Sequence, residues 1–465
     1  MQPTSPTFPK NAREALSDAN LQEALKRLQS GFVESRTRAA ARIPEFDALR
    51  DQARDIKDHV LAHLDIYLEL FESQCKAQGG NVHWCRDTEE VRQTVLKICQ
   101  ATNAKTVTKG KSMIGEEIAI NQFLEANDIK PIETDLGEYI IQLRNEAPSH
   151  IIAPATHVSK RQVADAFRDS HTTLNKDRRL TEPDDLLSEA RNVLRSQFLN
   201  ADVGITGANF LVAETGTSVI VTNEGNGDLT QTLPKVHVVL ASLEKVVPTL
   251  VDVTAILRVL ARSATGQEMS SYTTFSTGPK RAGDPDGPEE YHVVLLDNGR
   301  TNLLDSKFKA MLRCIRCGAC LNHCPVYSAI GGHAYGWVYP GPMGSVLSPG
   351  LIGIKKTKHL PQASTLCGKC EEVCPVRIPL PNLLRSWRFE IQNQNLMDWK
   401  TSWGIKLWAY FAKRSKLYRS LTRLTLRFLL LGHGQNGRVK NVPFFGVWTR
   451  TRDFPAPQGN TFMDQ

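Results

Sequence analysis

The sequence predicts an α/β domain with a mainly parallel sheet, followed by a smaller cysteine-rich domain and a basic C-terminal region. Short apolar runs alternate with helical patterns from Lys105 onward, which is typical of an α/β fold. Seven of the ten cysteines lie between Cys314 and Cys374. At 465 residues with 41% hydrophobic residues, the chain has enough apolar material for two or three domains.

The N-terminal region, residues 1–104, is predicted to be helical and to pack on the α/β domain. Apolar residues recur at intervals of three and four over residues 11–31 and 44–79, the spacing of an amphipathic helix. Lone cysteines in such helices are usually small core residues. We therefore expect Cys75, Cys85 and Cys99 to be buried rather than to bind a metal.

The α/β domain is predicted over residues 105–300. Its helices are expected at 115–126, 159–168 and 249–261, with Ser112 as an N-cap and Pro248 at the start of the last helix. Residues 276–290 are rich in Gly, Pro and charge, so they form a surface loop. Short buried strands are predicted at Pro131–Thr134, His150–Ala153, Thr217–Thr222, Val236–Leu240 and His292–Leu296.

No catalytic motif can be assigned in this domain. The glycine-bearing stretch 202–217 lacks a G-x-G-x-x-G opening a helix, and the domain has no Walker lysine. Several polar residues of this domain could line a pocket or attract an anion, but ordinary positions in turns, at strand ends or in solvent explain them equally well. They are Lys109, Lys111, Glu116, Glu117, Glu133, Asp135, His150, His157, Glu214 and Glu224. The catalytic residues are therefore left unknown.

Two cysteine motifs dominate the region 301–385. Cys314, Cys317, Cys320 and Cys324 have the spacing C-x2-C-x2-C-x3-C-P. The second motif is C-x2-C-x3-C-P, from Cys367 through Cys370 and Cys374. Three thiolates on a tight loop reach three corners of one cubane, and the cysteine before the proline is left for a neighbouring cluster. Structural zinc sites use two Cys pairs and need neither a third closely spaced Cys nor a trailing Cys-Pro.

The spacing therefore predicts a ferredoxin-type domain with two iron–sulfur clusters. In the crossed ligation of two-cluster ferredoxins, Cys374 completes the first cluster, a [4Fe-4S] centre bound by Cys314, Cys317 and Cys320. The second cluster receives Cys324, Cys367 and Cys370 and lacks one thiolate. Ser364 stands where a complete motif carries the missing cysteine.

The second cluster is accordingly a [3Fe-4S] centre or a [4Fe-4S] centre with an incomplete cysteine set. Its remaining ligand would be Ser364, water or a substrate. The missing thiolate either tunes the reduction potential only or leaves an iron open for chemistry. His323 lies inside the first motif and is expected to pack or hydrogen-bond rather than bind iron. The glycine- and aromatic-rich stretch 331–344 is a docking loop or a simple connection.

Composition excludes several classes of protein. Clustered cysteines in an otherwise cysteine-poor chain indicate cluster ligands in a reducing compartment rather than disulfides. The N-terminus has no apolar segment of signal-peptide length, and no apolar run approaches the ~20 residues of a membrane span. We expect a cytoplasmic protein.

The charge of the chain is concentrated in the C-terminal region, residues 386–465. The formal net charge is +8, yet twelve Lys and Arg and no Asp or Glu lie between Trp399 and Arg452. The body is thus mildly acidic, and nucleic-acid binding is not expected. Residues 406–431 mix aromatic and basic side chains as an amphipathic helix does, so they lie on the body of the protein, on a partner subunit or at the inner face of an anionic membrane.

The chain from about Phe32 to Arg452 resembles a known family, the iron–sulfur subunit of the three-part bacterial L-lactate oxidation system, whose α/β part is a LUD domain. Both cysteine motifs carry the resemblance. So do the stretches Lys111–Met113, Glu133–Glu138, Pro148–His150, Gly204–Gly207, Ala213–Thr217 and Gly331–Gly336.

The resemblance implies an α/β domain with a sugar-isomerase/CoA-transferase-like fold, followed by the helical two-cluster ferredoxin domain. It also implies the same cluster ligands as the spacing does and a role in oxidising L-lactate to pyruvate. Other subunits of a lactate oxidation complex and a downstream electron acceptor would be the partners. The alternatives are a stand-alone α/β enzyme acting on a small anion, with structural or regulatory clusters, and an electron carrier for another substrate.

Overall fold

The structure is a computed structural model that describes residues 3–431 and, beyond them, residues 438, 439, 454–456 and 461. The chain divides into two compact units, Met1–Ile391 and Gln392–Gln465. The first unit contains the α/β sheet and all seven clustered cysteines. The domain boundaries drawn from the sequence remain predictions.

A parallel sheet of six strands forms the centre of the first unit. Numbered along the chain, the strands have the spatial order β1-β10-β7-β4-β2-β3, and every neighbouring pair is parallel. From β2 the chain crosses to β3 at one edge, whereas from β4 it proceeds through β7 toward the other edge. The strands are β1 (Asn81–Cys85), β2 (Thr106–Gly110), β3 (Lys130–Glu133), β4 (Val203–Gly207), β7 (Val236–Ser242) and β10 (Glu290–Leu296).

Both faces of this sheet are covered at its centre, which explains why β7 and β10 read as nearly continuous apolar runs. On β7, Val238 and Leu240 belong to a core on one face, while Val239 and Ala241 belong to a core on the other. Cys85 and Cys99 lie in the first core and Cys75 in the second.

A second sheet has four strands in the order β8-β5-β6-β9. Its pairs are antiparallel except for β5 with β8. The strands are β5 (Phe210–Val212), β6 (Thr217–Thr222), β8 (Val246–Val247) and β9 (Tyr272–Ser276).

Helices precede, connect and flank these strands. Those of the N-terminal and α/β regions are α1 (Phe8–Ser17), α2 (Ala19–Ala41), α3 (Phe46–Ala62), α4 (Leu64–Ala77), α5 (Thr88–Ala101), α6 (Met113–Glu117), α7 (Ile120–Glu125), α8 (Leu136–Leu143), α9 (Lys160–Ser170), α10 (Pro183–Leu199), α11 (Asn226–Thr232) and α12 (Leu250–Ala264). The predicted N-cap Ser112 accepts a hydrogen bond from Gly115 N. At α12 the cap is Thr249, so Pro248 precedes the cap rather than occupying the first helical position.

Two predicted elements differ from the structure. The helix predicted at 115–126 is two helices, because Ala119 adopts φ 53° between them. The strand predicted at His150–Ala153 is wrong, since these residues form a loop. There the His150 side chain accepts a hydrogen bond from Ile152 N, and Ser149 N is bonded to Pro154 O, so the backbone closes on itself instead of joining a sheet.

The remaining predicted strands are confirmed within a few residues. The predicted strands did not include β1, β2, β4, β5, β8 and β9. Of these, β1 lies in the region predicted to be helical and pairs with β10.

The cysteine-rich region is built from short helices. They are α13 (Arg300–Leu304), α14 (Ala319–Asn322), α15 (Tyr327–Ile330), α16 (Gly341–Ile352), α17 (Ile354–Thr357), α18 (Lys369–Glu372) and α19 (Leu380–Asn393), with 3-10 turns at Lys309–Arg313, His333–Tyr335 and Leu360–Gln362. Their apolar side chains form one core with those of α3 and α12.

The second unit contains α20 (Trp399–Ala412) and α21 (Ser415–Leu431), and the short antiparallel pair β11 (Arg438–Val439) with β12 (Phe454–Pro455). None of the helices in the described part of the chain combines the length and the hydrophobicity that crossing a bilayer requires.

Candidate functional site

The two cysteine motifs adopt the same local conformation fifty positions apart. In each, a non-glycine residue with positive φ (Arg316, 60°; Leu366, 56°) precedes a left-handed glycine (Gly318, 76°; Gly368, 86°). A four-residue helix follows the glycine in both motifs. The two motifs are therefore structural repeats, and Ser364 takes the place in the second that Cys314 has in the first.

Four cysteines meet around one small cavity. Cys314, Cys317 and Cys320 of the first motif line it together with Cys374 of the second. The rest of its lining is largely apolar and includes Ile151 and Met343. The chain thus brings together the four residues that the spacing assigns to the first cluster.

The other three cysteines form a second group. Cys324 and Cys370 each interact electrostatically with Cys367, and with one another. Cys324 and Cys370 are buried, whereas Cys367 is exposed. Cys320 of the first group interacts with Cys370 of the second, so the two groups are neighbours.

The Ser364 side chain, in the position of the missing cysteine, is hydrogen-bonded within its own loop. Ser364 is half-buried, and its hydroxyl accepts a hydrogen bond from Leu366 N at 3.1 Å. Its carbonyl oxygen is held by the guanidinium of Arg388 at 2.8 Å. The Ser364 hydroxyl is therefore already engaged by its own loop.

The chemistry of these donors fits iron–sulfur clusters. Burial raises the pKa of Cys370 to about 12 and that of Cys374 to about 11, so the thiols keep their protons until a metal displaces them. In the described residues, no three Cys, His, Asp or Glu side chains are close enough to hold a single metal ion. A cluster attaches its thiolates to different irons and so spaces them more widely than one zinc does.

Backbone and side-chain donors surround the sulfur atoms. Tyr327 N lies 3.5 Å from Cys324 Sγ, and Ile378 N lies 3.4 Å from Cys374 Sγ. The Tyr335 hydroxyl is fully buried near Cys324 and Cys320, and among the described residues it has no hydrogen-bond partner. Donors to cluster sulfurs are one of the means by which proteins set reduction potential.

Two buried arginines from the N-terminal helices hold the second motif. Arg50 on α3 donates to Cys374 O through Nε at 3.1 Å and Nη2 at 2.9 Å. Arg36 on α2 donates to Val373 O at 3.0 Å. Their positive charges lie beside the first group of cysteines, where a bound cluster with its thiolates carries negative charge.

A buried ion network links the parallel sheet to the first motif. Arg300 pairs with Glu117 at 2.8 Å and with Glu244 at 3.0 Å. Glu244 also pairs with Arg316 at 3.1 Å, inside the first motif. Tyr339 donates to Glu117 at 2.6 Å. Glu117 thus has a structural role.

The other polar candidates are mostly satisfied by neighbours. Lys109 is fully buried between Glu116 and Glu133, each at 2.7 Å. His150 bonds to Asn322 at 2.9 Å, and burial lowers its pKa to about 4. The remaining ones are distributed as follows: His157 pairs with Glu146, Lys111 with Asp135, Glu214 accepts from Leu250 N, and Glu224 is exposed.

Several residues at the site were not anticipated. Arg316 lies within the first motif, but the spacing of the cysteines does not indicate its ion pair with Glu244. Tyr335 lies in the glycine- and aromatic-rich stretch, which the sequence singled out without a role. Arg36 and Arg50 occur in ordinary amphipathic helices, and only their long-range contacts reveal them.

Two family models match the chain. The LUD domain matches residues 68–296, and the 4Fe-4S dicluster domain matches residues 310–378. The second match covers both cysteine motifs. Among solved structures, a DUF162 family protein from Deinococcus radiodurans aligns with 50% of this chain and 98% of its own, at 15% identity and a TM-score of 0.26, too weak a likeness to support an argument.

Relatives match over nearly the whole length. Lactate utilization protein B of Shouchella clausii is 41% identical, over 98% of this chain and 96% of its own. The Bacillus subtilis protein of the same name is 39% identical over 98% and 95%. An uncharacterized electron transport protein of Escherichia coli, YkgF, is 39% identical over 98% and 95%. Because the identity extends through the LUD domain and both cysteine motifs, this chain belongs to the lactate utilization protein B family.

Proposed function

We propose that the protein is the iron–sulfur electron-transfer subunit of a multi-protein system that oxidises L-lactate to pyruvate. The names of its relatives refer to lactate utilization and to electron transport. Oxidation of a 2-hydroxy acid to a 2-oxo acid releases two electrons and two protons. The two electrons must then be carried to an acceptor. Bound iron–sulfur clusters supply one-electron redox centres for this purpose.

The observation that carries the proposal is the grouping of the seven cysteines. Crossed ligation requires Cys374 to join the first motif and Cys324 to join the second. The cavity shared by Cys314, Cys317, Cys320 and Cys374 supports the first ligand set. The electrostatic neighbourhood of Cys324, Cys367 and Cys370 supports the second.

Burial suggests a direction for the electrons. Three cysteines of the first group are buried and Cys314 is half-buried, whereas the second group reaches the surface at Cys367. Electrons that enter beside the first group would leave beside the second, where a partner can approach. The second cluster would be a [3Fe-4S] centre or a [4Fe-4S] centre lacking one thiolate.

The finer assignments belong to the same proposal. The α/β domain would have the sugar-isomerase/CoA-transferase-like fold, and the partners would be the other subunits of a lactate oxidation complex and a downstream acceptor. The protein would work in the cytoplasm, with the basic helices α20 and α21 in contact with the inner face of the membrane.

Reconstitution tests the function. The chain is purified anaerobically, its iron and acid-labile sulfide are measured, and lactate-dependent dye reduction is followed with and without the partner subunits. We expect seven to eight irons per chain and turnover only when partners are present. Cys317→Ser and Cys370→Ser should each remove one EPR signal, while Cys99→Ser, a change to a buried cysteine outside both groups, should leave both signals intact.

Three outcomes would contradict the proposal. A colourless chain that contains zinc and no sulfide would remove the electron-transfer role. Lactate turnover by the isolated chain would favour the alternative, a stand-alone α/β enzyme whose clusters are structural or regulatory. Turnover of a different substrate with the partners would favour an electron carrier for that substrate.

A further inference from the structure

A cavity of about 170 Å³ lies between the parallel sheet and the first cysteine motif. It opens at the carboxyl ends of four strands: Lys111 follows β2, Asp135 follows β3, Gly207 ends β4 and Ser242 ends β7. The chain leaves β2 and β4, which are neighbours, toward opposite edges of the sheet. In open α/β sheets, ligands bind in the crevice at such a switch point.

The side of the cavity opposite the sheet comes from the first motif. Arg316 and Cys317 line it, and Tyr339 lies beside them. Cys317 also lines the small cavity shared by the four cysteines. A molecule in the larger cavity would therefore be separated from the first cluster site by no more than the Cys317 side chain and its loop.

Two buried polar groups in this cavity have no partner. The Ser242 hydroxyl is fully buried and has no hydrogen bond to any residue that the structure describes. Lys245 is 8% exposed, and within the described residues its ammonium group makes neither a hydrogen bond nor an ion pair. A buried polar group without a partner is costly, and a buried charge is more costly still, unless something pairs with it. Both groups point to a ligand that accepts hydrogen bonds and carries negative charge.

The other charges of the lining are already balanced. Lys111 is paired with Asp135, and Arg316 with Glu244. Burial, together with the charges of Glu133 and Asp135, raises the pKa of Glu138 well above its usual value, which disfavours a negative charge there. Lys245 has no such pair: burial and the neighbouring Arg316 lower its pKa to about 7, and the charge of Glu244 offsets them only in part. An anion bound beside its amine would therefore favour the protonated form.

Size and apolar lining restrict the anion further. A volume of about 170 Å³ is well below the ~300–1,000 Å³ of pockets that hold drug-sized ligands, so nucleotides and flavins do not fit. Met113, Ile151, Leu240 and Leu260 contribute apolar side chains to the lining, and Asn209, Thr222 and Thr265 contribute polar ones. A lining of both kinds beside an anion-binding end suits a short organic acid with a hydroxyl or oxo group better than inorganic phosphate.

We propose that this cavity is a binding site for a small organic carboxylate of three or four carbons, a 2-hydroxy or 2-oxo acid, with the carboxylate at Lys245 and the Ser242 hydroxyl donating to the ligand. The anion site rests on the cavity itself, and the 2-hydroxy or 2-oxo class rests on the function proposed above.

Calorimetric titration of the anaerobic, cluster-loaded full chain tests the site. L-lactate and pyruvate are the probes, and acetate and inorganic phosphate are compared with them. We expect saturable binding of lactate or pyruvate, weaker binding of acetate and none of phosphate. Lys245→Met should weaken binding at least tenfold and Ser242→Ala severalfold, whereas Lys307→Met, the same change at an exposed lysine outside the cavity, should have no effect.

A second measurement separates binding from stability. Because Cys317 lines the cavity, saturating ligand should change the EPR spectrum of the reduced first cluster in the wild type and not in Lys245→Met. If Lys245→Met does not fold, Ser242→Ala carries the test alone.

Absence of carboxylate binding at millimolar concentrations would overturn the inference, as would wild-type affinity in both variants or a preference for phosphate. Partner-dependent lactate turnover by a chain that binds no carboxylate would leave the proposed function standing and remove this site. Carboxylate binding by a chain that transfers no electrons would leave this site standing and remove the proposed function.

Discussion

At the residue scale, the donors around the sulfur atoms decide how the site would behave. The Tyr335 hydroxyl is the clearest case, because it is fully buried beside Cys324 and Cys320 without a partner among the described residues. Burial and the nearby thiols raise its pKa well above the usual value, so the hydroxyl keeps its proton and remains a donor. A bound cluster offers the acceptor that the chain itself does not.

Tyr335→Phe should lower the reduction potential of one cluster by about 20–60 mV, the equivalent of a net hydrogen bond of ~0.5–1.5 kcal/mol to its reduced state. Potentiometric titration followed by EPR measures this. Tyr327→Phe is the matched control, because that hydroxyl donates to Ser149 O at 2.7 Å and should leave both potentials unchanged. Equal potentials in wild type and Tyr335→Phe would show that this hydroxyl does not reach a cluster.

His237 on β7 predicts a pH dependence of stability. Burial, with a smaller contribution from His292, lowers its pKa to about 3, against 6.5 for the unfolded chain. The folded protein therefore holds His237 neutral, and its stability falls as the pH drops below 6.5, where only the unfolded state binds the proton.

His237→Gln removes that proton uptake, and glutamine can still bond to Thr206, which lies 2.8 Å from the imidazole. Between pH 7 and pH 5 the wild type should lose about 2 kcal/mol more unfolding free energy than the variant does. Denaturation midpoints at the two pH values measure the difference. Parallel pH profiles would contradict the assignment.

At the scale of elements, helices that carry no part of either cysteine motif hold those motifs in place. Arg50 on α3 bonds to Cys374 O with two nitrogens, and Arg36 on α2 bonds to the preceding carbonyl. The positions of the second-motif cysteines thus depend on side chains from the opposite end of the sequence.

Arg50→Met should lower the free energy of unfolding by about 2–4 kcal/mol, because the carbonyls it serves lose charged donors in a buried place. We expect a melting temperature several degrees lower and a lower iron content after anaerobic purification. Arg54→Met, on the same helix, removes only exposed ion pairs with Asp51 and Asp55 and should change neither quantity appreciably. Full iron occupancy in Arg50→Met would show that cluster binding does not need the bonds from Arg50 to the Cys374 carbonyl.

Helices α20 and α21 predict binding to an anionic membrane surface. The side chains of Trp399, Trp403 and Trp408 are 74%, 66% and 65% exposed, and basic residues accompany them along both helices. Tryptophan and lysine or arginine together are typical of helices that lie in the lipid headgroup region.

The full chain should sediment with vesicles containing phosphatidylglycerol at low salt, and less at high salt. Replacing Lys416, Arg419 and Arg427 by Gln should reduce this partitioning at least tenfold, since each basic residue contributes ~1 kcal/mol. Pure phosphatidylcholine vesicles are the control. If anionic vesicles bring down no protein at low salt, the helices serve a protein partner instead.

At the scale of the whole molecule, the two cysteine groups differ in depth. The first shares an apolar cavity inside the unit, while the second reaches solvent at Cys367. Oxidants therefore meet the second group first.

Stepwise addition of ferricyanide should abolish the EPR signal of the second cluster before that of the first, leaving about four irons per chain at the intermediate stage. Cys370→Ala, which lacks a ligand of the second cluster, should show the slow phase alone. Loss of both signals at one rate would contradict this order.

The extent to which the sequence predicted the molecule follows the range of the interactions involved. Local patterns were sufficient for the helices of the first eighty residues, the Ser112 cap and strand β6, because periodicity and capping depend on near neighbours. The grouping of the cysteines was also predictable, since fixed spacing on a tight loop determines which sulfurs can converge; the ligand sets themselves stay a prediction.

Long-range features were not predictable in this way. His150–Ala153 reads as a strand, but its backbone bonds are made within the loop. Arg50 and Lys245 have no local signature, because their roles arise from chain segments separated by many positions. The strand order that places β2 beside β4, and with it the cavity, cannot be read from periodicity at all.

The bonds that Arg36 and Arg50 make to the second motif also have a consequence for biosynthesis. Arg36 and Arg50 bond to carbonyls 337 and 324 positions further along the chain, and Gln22 to one 307 positions away. During translation α12, against which α2 and α3 pack, is made well before these carbonyls, which emerge only after about four-fifths of the polypeptide. Nascent chains that stop short of the second cysteine loop therefore leave both guanidinium groups without the carbonyl oxygens that they bond in the finished protein.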